Sequence, residues 1–515
     1  MKKFFILFAT ICCWHITNTD ACTSLLAGRG ATTDGSTFIT YAADSHTLYG
    51  SLVYIPAAHY PENTMFEVKE WDTGKPLGHI PQVESTYAVM GNMNEYQLSI
   101  TESTWGGRPE LVDTTGIIDY GSLMFITLQR AKTAREAIKV MTDLVKKHGY
   151  YSSGESFSIA DPNEVWIMEM IGKGVHNKGA VWVAVRIPDD CISAHANQAR
   201  IHTFPLDDKD NCVYSPDVIS FAREKGYFDG LNKDFSFANA YAPADFGALR
   251  GCEARVWSFF RKFNNTMDDY LSYINGESKT PIPLYVKPNR KLSAQDMKDA
   301  MRDHFENTPF DMTQDVGAGP FKVPYRFRPM TFTVDSVEYT QERAIATQQT
   351  GFTLVAQMRN WLPDAVGGVL WFGVDDTNTC VYIPIYCSAT EVPECFNPKN
   401  GSLYKLSWTS AFWIHNWVAN MAYARYNYMI KDIRPVQQQL ENEFNTWQPS
   451  IEKAAIDLYK NDKDAAIRFL TTYSVAQAQR STARWKELGE YLMVKYLDGN
   501  IKRERDGQFM DNGYG

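Results

Sequence analysis

The chain has 515 residues, 44% hydrophobic and 22% charged, with a formal net charge of −9. This is the composition of a globular chain of roughly two to four domains, or of one large decorated unit. It excludes a disordered chain, a collagen-like chain and a polytopic membrane protein, and the lack of a Lys/Arg run argues against nucleic acid as a main partner. Aromatic residues reach 13%, with 13 Trp and 28 Tyr, a load that suits the walls of a cleft and equally a large packed core.

The chain opens on a leader pattern. Lys2 and Lys3 precede an apolar run from Phe4 to Trp14, too short to span a bilayer. Thr19-Asp20-Ala21 then places small residues first and third before a cut after Ala21. The expected mature chain begins at Cys22 and is exported, periplasmic or extracellular, with no later run of about 18 apolar residues to hold it in a membrane. A cysteine straight after a leader also suits a lipoprotein anchor at the outer membrane. Thr19 and the acidic Asp20 argue against that alternative.

From Cys22 the pattern is strand, turn at Thr33-Asp34-Gly35, and a second strand over Ser36–Tyr41. Further strands are expected at Tyr87–Met90, Gln97–Thr101, Ser156–Ala160, Val165–Met170 and Val181–Val185. One long helical region is expected over Ile117–Lys147, stopping near Gly149. Ser215–Lys225, with Ser215 as N-cap, and Ser293–His304 read as helices, and Asp311–Arg326 as a Gly/Pro-rich loop. Strands return at Thr331–Val334, Phe352–Met358, Val369–Val374 and Cys380–Ile385. The last part is helical: Trp408–Ile430, Pro435–Tyr459, Lys463–Tyr473 and Ser474–Tyr496. Strands and helices in runs rather than in strict alternation give an α+β class. The expected organisation is a leader (1–21), a catalytic domain (22–400) and a C-terminal helical region packed on it (401–515).

Nine cysteines are present, and Cys12 and Cys13 fall in the leader. The odd number left in an exported chain implies a free thiol. If Cys22 is that thiol, bridges among Cys380, Cys387 and Cys395, or between Cys191 and Cys212, are open. No CxxC or HExxH occurs and the 10 His are scattered, which argues against a zinc site.

A chain that starts at Cys22 carries nucleophile and base on one residue. The α-amine has an unperturbed pKa near 8, so part of it is neutral at pH 7 and able to take the thiol proton. No histidine partner is then required, so His195 is not needed for a Cys–His dyad.

The stretches CTSLLAGRGATTDGST, GNMNEYQLSITESTWGG (91–107), SFSIADPNEVWIMEM (156–170), AHANQARI (194–201) and GGVLWFGVDD (367–376) together resemble the dipeptidase A and secernin family of N-terminal-nucleophile cysteine hydrolases. That family is distantly related to penicillin V acylase and bile salt hydrolase. The resemblance implies a four-layer αββα sandwich, hydrolysis of dipeptides or short peptides through an acyl-thioester, and no metal or organic cofactor. Carried over by position, Cys22 is the nucleophile and Asp44 orients its amine. The backbone N–H of Asn94 and the side-chain amide of Asn197 stabilise the oxyanion, and Arg255 is an arginine near the catalytic centre. Tyr41 stands where related hydrolases usually carry arginine, three residues before the aspartate, and cannot supply that charge. Taken alone, Asp44, Asn94 and Asn197 also suit turns, Arg255 a surface pair with Glu253 or Asp245, and Glu169 a structural place on its strand. The alternatives for the whole protein are an acylase of bile-salt, penicillin or N-acyl amino-acid type and a peptide-binding lipoprotein. A homo-oligomer is compatible with either.

Overall fold

The two large sheets grow from short apolar strands with side chains alternating between two covered faces. The computed structural model describes residues 22–175, 177–326 and 331–513; the expected leader lies outside the described residues. The sheet-forming strands are β1 (Ser24–Ala27), β2 (Thr37–Asp44), β3 (Tyr54–Ile55), β4 (Val89–Met90), β5 (Met93–Asn94), β6 (Ser99–Trp105), β7 (Gly154–Ala160) and β8 (Val165–Gly172). They continue with β9 (Ala180–Ile187), β10 (Ile192–His195), β11 (Cys212–Tyr214), β12 (Tyr285–Val286), β13 (Thr350–Met358), β14 (Val369–Val374) and β15 (Ile383–Tyr386). The main helices are α1 (Tyr120–Leu128), α2 (Ala134–His148), α3 (Ala254–Phe263), α4 (Ala294–Ala300), α5 (Ala411–Ala424), α6 (Tyr426–Tyr459) and α7 (Lys463–Lys495).

One sheet has the order β12-β10-β1-β2-β13-β14-β15 and the other β11-β9-β8-β7-β6-β5-β4-β3. Their ladders are antiparallel, with Leu26 opposite Ile39, Ser24 opposite His195 and Val355 opposite Thr40. β2 of the first sheet packs on β6, β7 and β8 of the second. Strand β8 displays the two-residue period directly. Val165, Ile167 and Ile171 enter the core shared with β1 and β2, whereas Trp166, Met168 and Met170 enter a second core under α1 and α2. α5 and α7 lie against β14 and β15, and their Val418, Leu470 and Leu488 belong to the first core. The fold is α+β, with antiparallel sheets and a C-terminal helical region.

Three local expectations change. The region Ile117–Lys147 is two helices, because Asn94 donates its side-chain amide to the Leu128 and Ala131 carbonyls (2.8 and 2.7 Å) and Thr133 caps a new start. Lys463–Tyr473 and Ser474–Tyr496 form one helix, with no Gly or Pro between them to break it. Helix α6 starts at Tyr426, not Pro435. The chain turns at Arg425 (φ −150°), and Pro435 sits inside the helix. The cysteine bridges are also absent: Cys22, Cys191, Cys212, Cys252, Cys380, Cys387 and Cys395 are all free thiols. Cys380 and Cys387 meet the nearby carbonyls of Thr377 and Asp364 instead of each other.

Candidate active site

Cys22 lies two residues before β1, a central strand held between β10 and β2. Its neighbour Thr23 exchanges backbone hydrogen bonds with Ala42 at 3.2 and 2.9 Å, which extends the ladder to the start of the described chain. The thiol is 5% exposed and lines a cavity of about 180 Å3 with Tyr41, Asp44, Asn92, Glu102, Thr104 and Tyr120 among its walls. The cavity lies between β2, which supplies Tyr41, Ala43 and Asp44, and β6, which supplies Glu102 and Thr104. The turn of the hairpin Met65–Lys69/Pro76–Pro81 reaches over it. Trp71 stacks on Phe125 at 4.4 Å, and Tyr120 donates to Asp72 at 2.9 Å.

Sγ of Cys22 is 3.6 Å from Oε1 of Glu102 and 3.7 Å from the Tyr41 hydroxyl, which itself donates to Glu102. Burial pushes the Cys22 thiol well up, the charges of Glu102 and Asp44 add to it, and the Asp44 N–H and Tyr41 hydroxyl oppose it. Burial also raises Tyr41, Glu102 and Glu155. Glu155 takes a hydrogen bond from Thr104 at 2.6 Å, and after burial the Glu102 charge pushes its carboxyl further up.

The residues expected at the site come together unequally. Asp44 ends β2, beside Cys22, and accepts from Arg343 and from the Thr350 hydroxyl, both at 2.6 Å. Burial raises its carboxyl, and the Arg343 guanidinium opposes that shift. Arg255, on α3, is 1% exposed and makes no surface pair. It donates to the Cys22 carbonyl and the Thr23 hydroxyl, both at 2.8 Å, and to Oδ1 of Asn197 at 2.9 Å. Glu253, offered as its partner, binds Arg200 instead. Asn197 takes φ 58° in the turn after β10, a conformation Asn tolerates. Its N–H meets Ser103 and its side-chain amide the Thr104 carbonyl.

Asn94 is not among the residues that line this cavity. Its N–H donates to the Leu98 carbonyl at 2.9 Å and its side chain closes the end of α1. The donor that the resemblance implies for it is spent within its own hairpin, and Asn92 is the residue that lines the cavity. His195 is buried, pushed down to about 3 by burial, and held between Ser103 (2.6 Å) and Ser158 (2.7 Å).

Glu169 accepts from the N–H groups of Arg200 and Ile201 and so pins the loop that carries Asn197. Burial pushes its carboxyl from 4.5 to about 7. The folded state therefore keeps a proton that the unfolded chain releases. The stability tied to Glu169 is fully present below pH 4.5 and is lost as pH rises to about 7. Glu169→Gln should gain on the native protein by up to about 3 kcal/mol across that window. Thermal unfolding of both proteins from pH 4.5 to 7.5 tests this; a constant difference would refute it.

Sequence reasoning gave no role to Glu102, although it lies within the family-like stretch 91–107, or to Arg343. The signal for Glu102 was an acid in the middle of a strand-forming run, SITESTW. Arg343 sits in an irregular segment and offered no pattern.

The model of peptidase family C69 matches residues 21–439, starting one residue before Cys22 and running beyond residue 400. A probable dipeptidase of Latilactobacillus sakei is 26% identical over 475 residues, covering 88% of this chain and 90% of its own. A probable dipeptidase of Salmonella dublin is 27% identical (71% of this chain, 81% of its own), and dipeptidase A of Lactobacillus helveticus is 24% identical (86% and 88%). With most of its length matched and a cysteine thiol at its cavity, the chain belongs to peptidase family C69, the cysteine-type peptidases.

Proposed function

We propose that this protein is an exported cysteine dipeptidase whose nucleophile is Cys22, freed at its amino group by removal of residues 1–21, on a four-layer αββα scaffold. The observation that carries the reading is a buried thiol at the head of a central strand, facing a cavity, on the residue that follows the expected leader. The packing of β2 on β6–β8, with α1 and α2 on one outer face and α5 and α7 against the other sheet, supports the scaffold. The names of the relatives support the substrate.

In this reading the neutral α-amine of Cys22 takes the thiol proton. The thiolate attacks the scissile carbonyl, whose oxygen becomes negative as the carbon turns tetrahedral. Asn197, held by Arg255 beside the Cys22 carbonyl, is the expected oxyanion donor; one such donor contributes roughly 2.7–4 kcal/mol. The Cys22 ammonium protonates the departing amine, the carbon–nitrogen bond breaks, and a thioester remains. Water, deprotonated by the same amine, hydrolyses it and restores the thiol. The bridge between Thr23 and Ala42 runs the chain head along β2 toward Asp44, whose carboxylate would steady the ammonium.

A panel of dipeptides against N-acyl amino acids, penicillin V and bile-salt conjugates tests the activity. Dipeptides should be hydrolysed with kcat/KM at least ~10²-fold above any acyl conjugate. Turnover of the conjugates alone would make the protein an acylase. Sequencing the secreted protein should give Cys-Thr-Ser; a lipid adduct on Cys22 would remove the mechanism.

A further inference from the structure

The wall beside the thiol has one electrostatic sign. Among the described residues, the cavity lining carries Asp44, Asp72 and Glu102 and no Lys, Arg or His. Asp44 is neutralised by Arg343 at 2.6 Å. Glu102 differs: its side-chain neighbours among the described residues are the Tyr41 hydroxyl, the Cys22 thiol and the Glu155 carboxyl, and the one cation the proposed mechanism brings near is the transient Cys22 ammonium, which Asp44 serves. Glu102 is 1% exposed, and the described residues form no ion pair with it. A buried carboxylate without a counter-charge is costly, so a cation brought by the substrate gains far more here than in water.

We infer that Glu102 is the anchor for the α-ammonium of the substrate, so that the scissile carbonyl must belong to the amino-terminal residue of a peptide with a free amine. This rests on the reading of Cys22 as nucleophile and specifies the substrate class of that site. The lengths agree. The α-nitrogen and carbonyl carbon of one residue are about 2.5 Å apart. An ammonium–carboxylate hydrogen bond spans about 2.7–2.9 Å, and a thiolate in attack position stands about 3–3.5 Å from carbon. These distances close a four-point figure on the 3.6 Å between Oε1 of Glu102 and Sγ of Cys22. The next carbonyl along a peptide lies a further residue away, about 3.8 Å per Cα step, so the first carbonyl is the one that spans the short gap from Glu102 to the sulfur most directly. An N-acyl group replaces the ammonium by a neutral amide and presses its carbonyl oxygen against a carboxylate. Asp72, held by Tyr120 at the same cavity, reinforces the preference.

The test compares Ala-Ala with propionyl-Ala, which lacks only the amine. The native protein should prefer Ala-Ala by about 10²-fold or more in kcat/KM, as for a site that reads a polar group its competitor lacks. In Glu102→Gln the ratio should collapse to within about tenfold, and Glu102→Asp should restore part of it. An equal loss on both substrates would overturn the inference and give Glu102 a role in the chemistry or the fold. A second measurement needs no variant: the rate at which alanyl and N-acetylalanyl chloromethyl ketones label Cys22 in the native protein, read by mass spectrometry. The alanyl reagent should be faster by about tenfold or more, and equal rates would overturn the anchor. Failure of every amide to turn over would defeat the hydrolase reading, whereas the labelling ratio would still decide the role of Glu102.

Discussion

Cys22→Ser is expected to lower kcat/KM on dipeptides by roughly 10³-fold or more, and Cys22→Ala further, with the fold intact. The serine hydroxyl is a far weaker acid than the thiol, and this site does little to lower even the thiol's pKa: burial and the Glu102 and Asp44 charges hold it up. Activation therefore has to come from a base next to the sulfur. The same logic gives a companion result. A single residue left ahead of Cys22 turns its amine into an amide, which cannot accept a proton, and should silence the protein as fully as the alanine variant. Steady-state kinetics on the cleaved, extended and substituted proteins, with circular dichroism to confirm folding, measure both. Full activity in the extended form would overturn the N-terminal amine as base.

Arg343→Met should be almost as damaging, for a different reason. Arg343 is the counter-charge of Asp44, a carboxylate with no side-chain exposure. Its loss leaves that carboxylate with the Thr350 hydroxyl and the side-chain amide of Gln349 on its backbone carbonyl. Removing one partner of a buried pair costs about 3–5 kcal/mol. Asp44 would then be driven further toward its protonated form, because Arg343 is the main opposition to burial. Activity should fall with stability. The double variant Arg343→Met/Asp44→Asn should recover most of the stability, since no buried charge is left alone, but not the activity. Chemical denaturation and dipeptide kinetics on the three variants test this. Recovery of activity in the double variant would show that Asp44 does not serve the amine.

Legibility in the sequence followed the range of the interaction. The strands around the site were readable because their side chains alternate or run apolar within one segment: Val369–Val374 agrees at both ends, and β7, β8 and β9 within one or two residues. The break between α1 and α2 was not readable, because its cause is the amide of Asn94, over thirty residues earlier in the chain. The same contact fixes where the Asn94 side chain lies, at the end of the helix. A motif places two asparagines two residues apart, and only the hairpin decides that Asn92 lines the cavity while Asn94 turns to the helix end. The missing arginine at position 41 has a similar resolution. Tyr41 meets Glu102, and the positive charges near Cys22 come from Arg255 and Arg343, 214 and 302 positions further along.

By itself the sequence determined the chemistry available: a cysteine after a leader-like segment, an aspartate at the end of the next strand, an α+β succession of elements and family motifs in order. These are local properties of residue type, spacing and periodicity. The tertiary structure alone decided which side chains surround the sulfur. It placed Glu102 at 3.6 Å with Tyr41 beside it, neutralised Asp44 through Arg343, and left the cavity wall negative. Charge balance inside a cavity depends on which distant segments fold against one another, and no spacing along the chain encodes that sum.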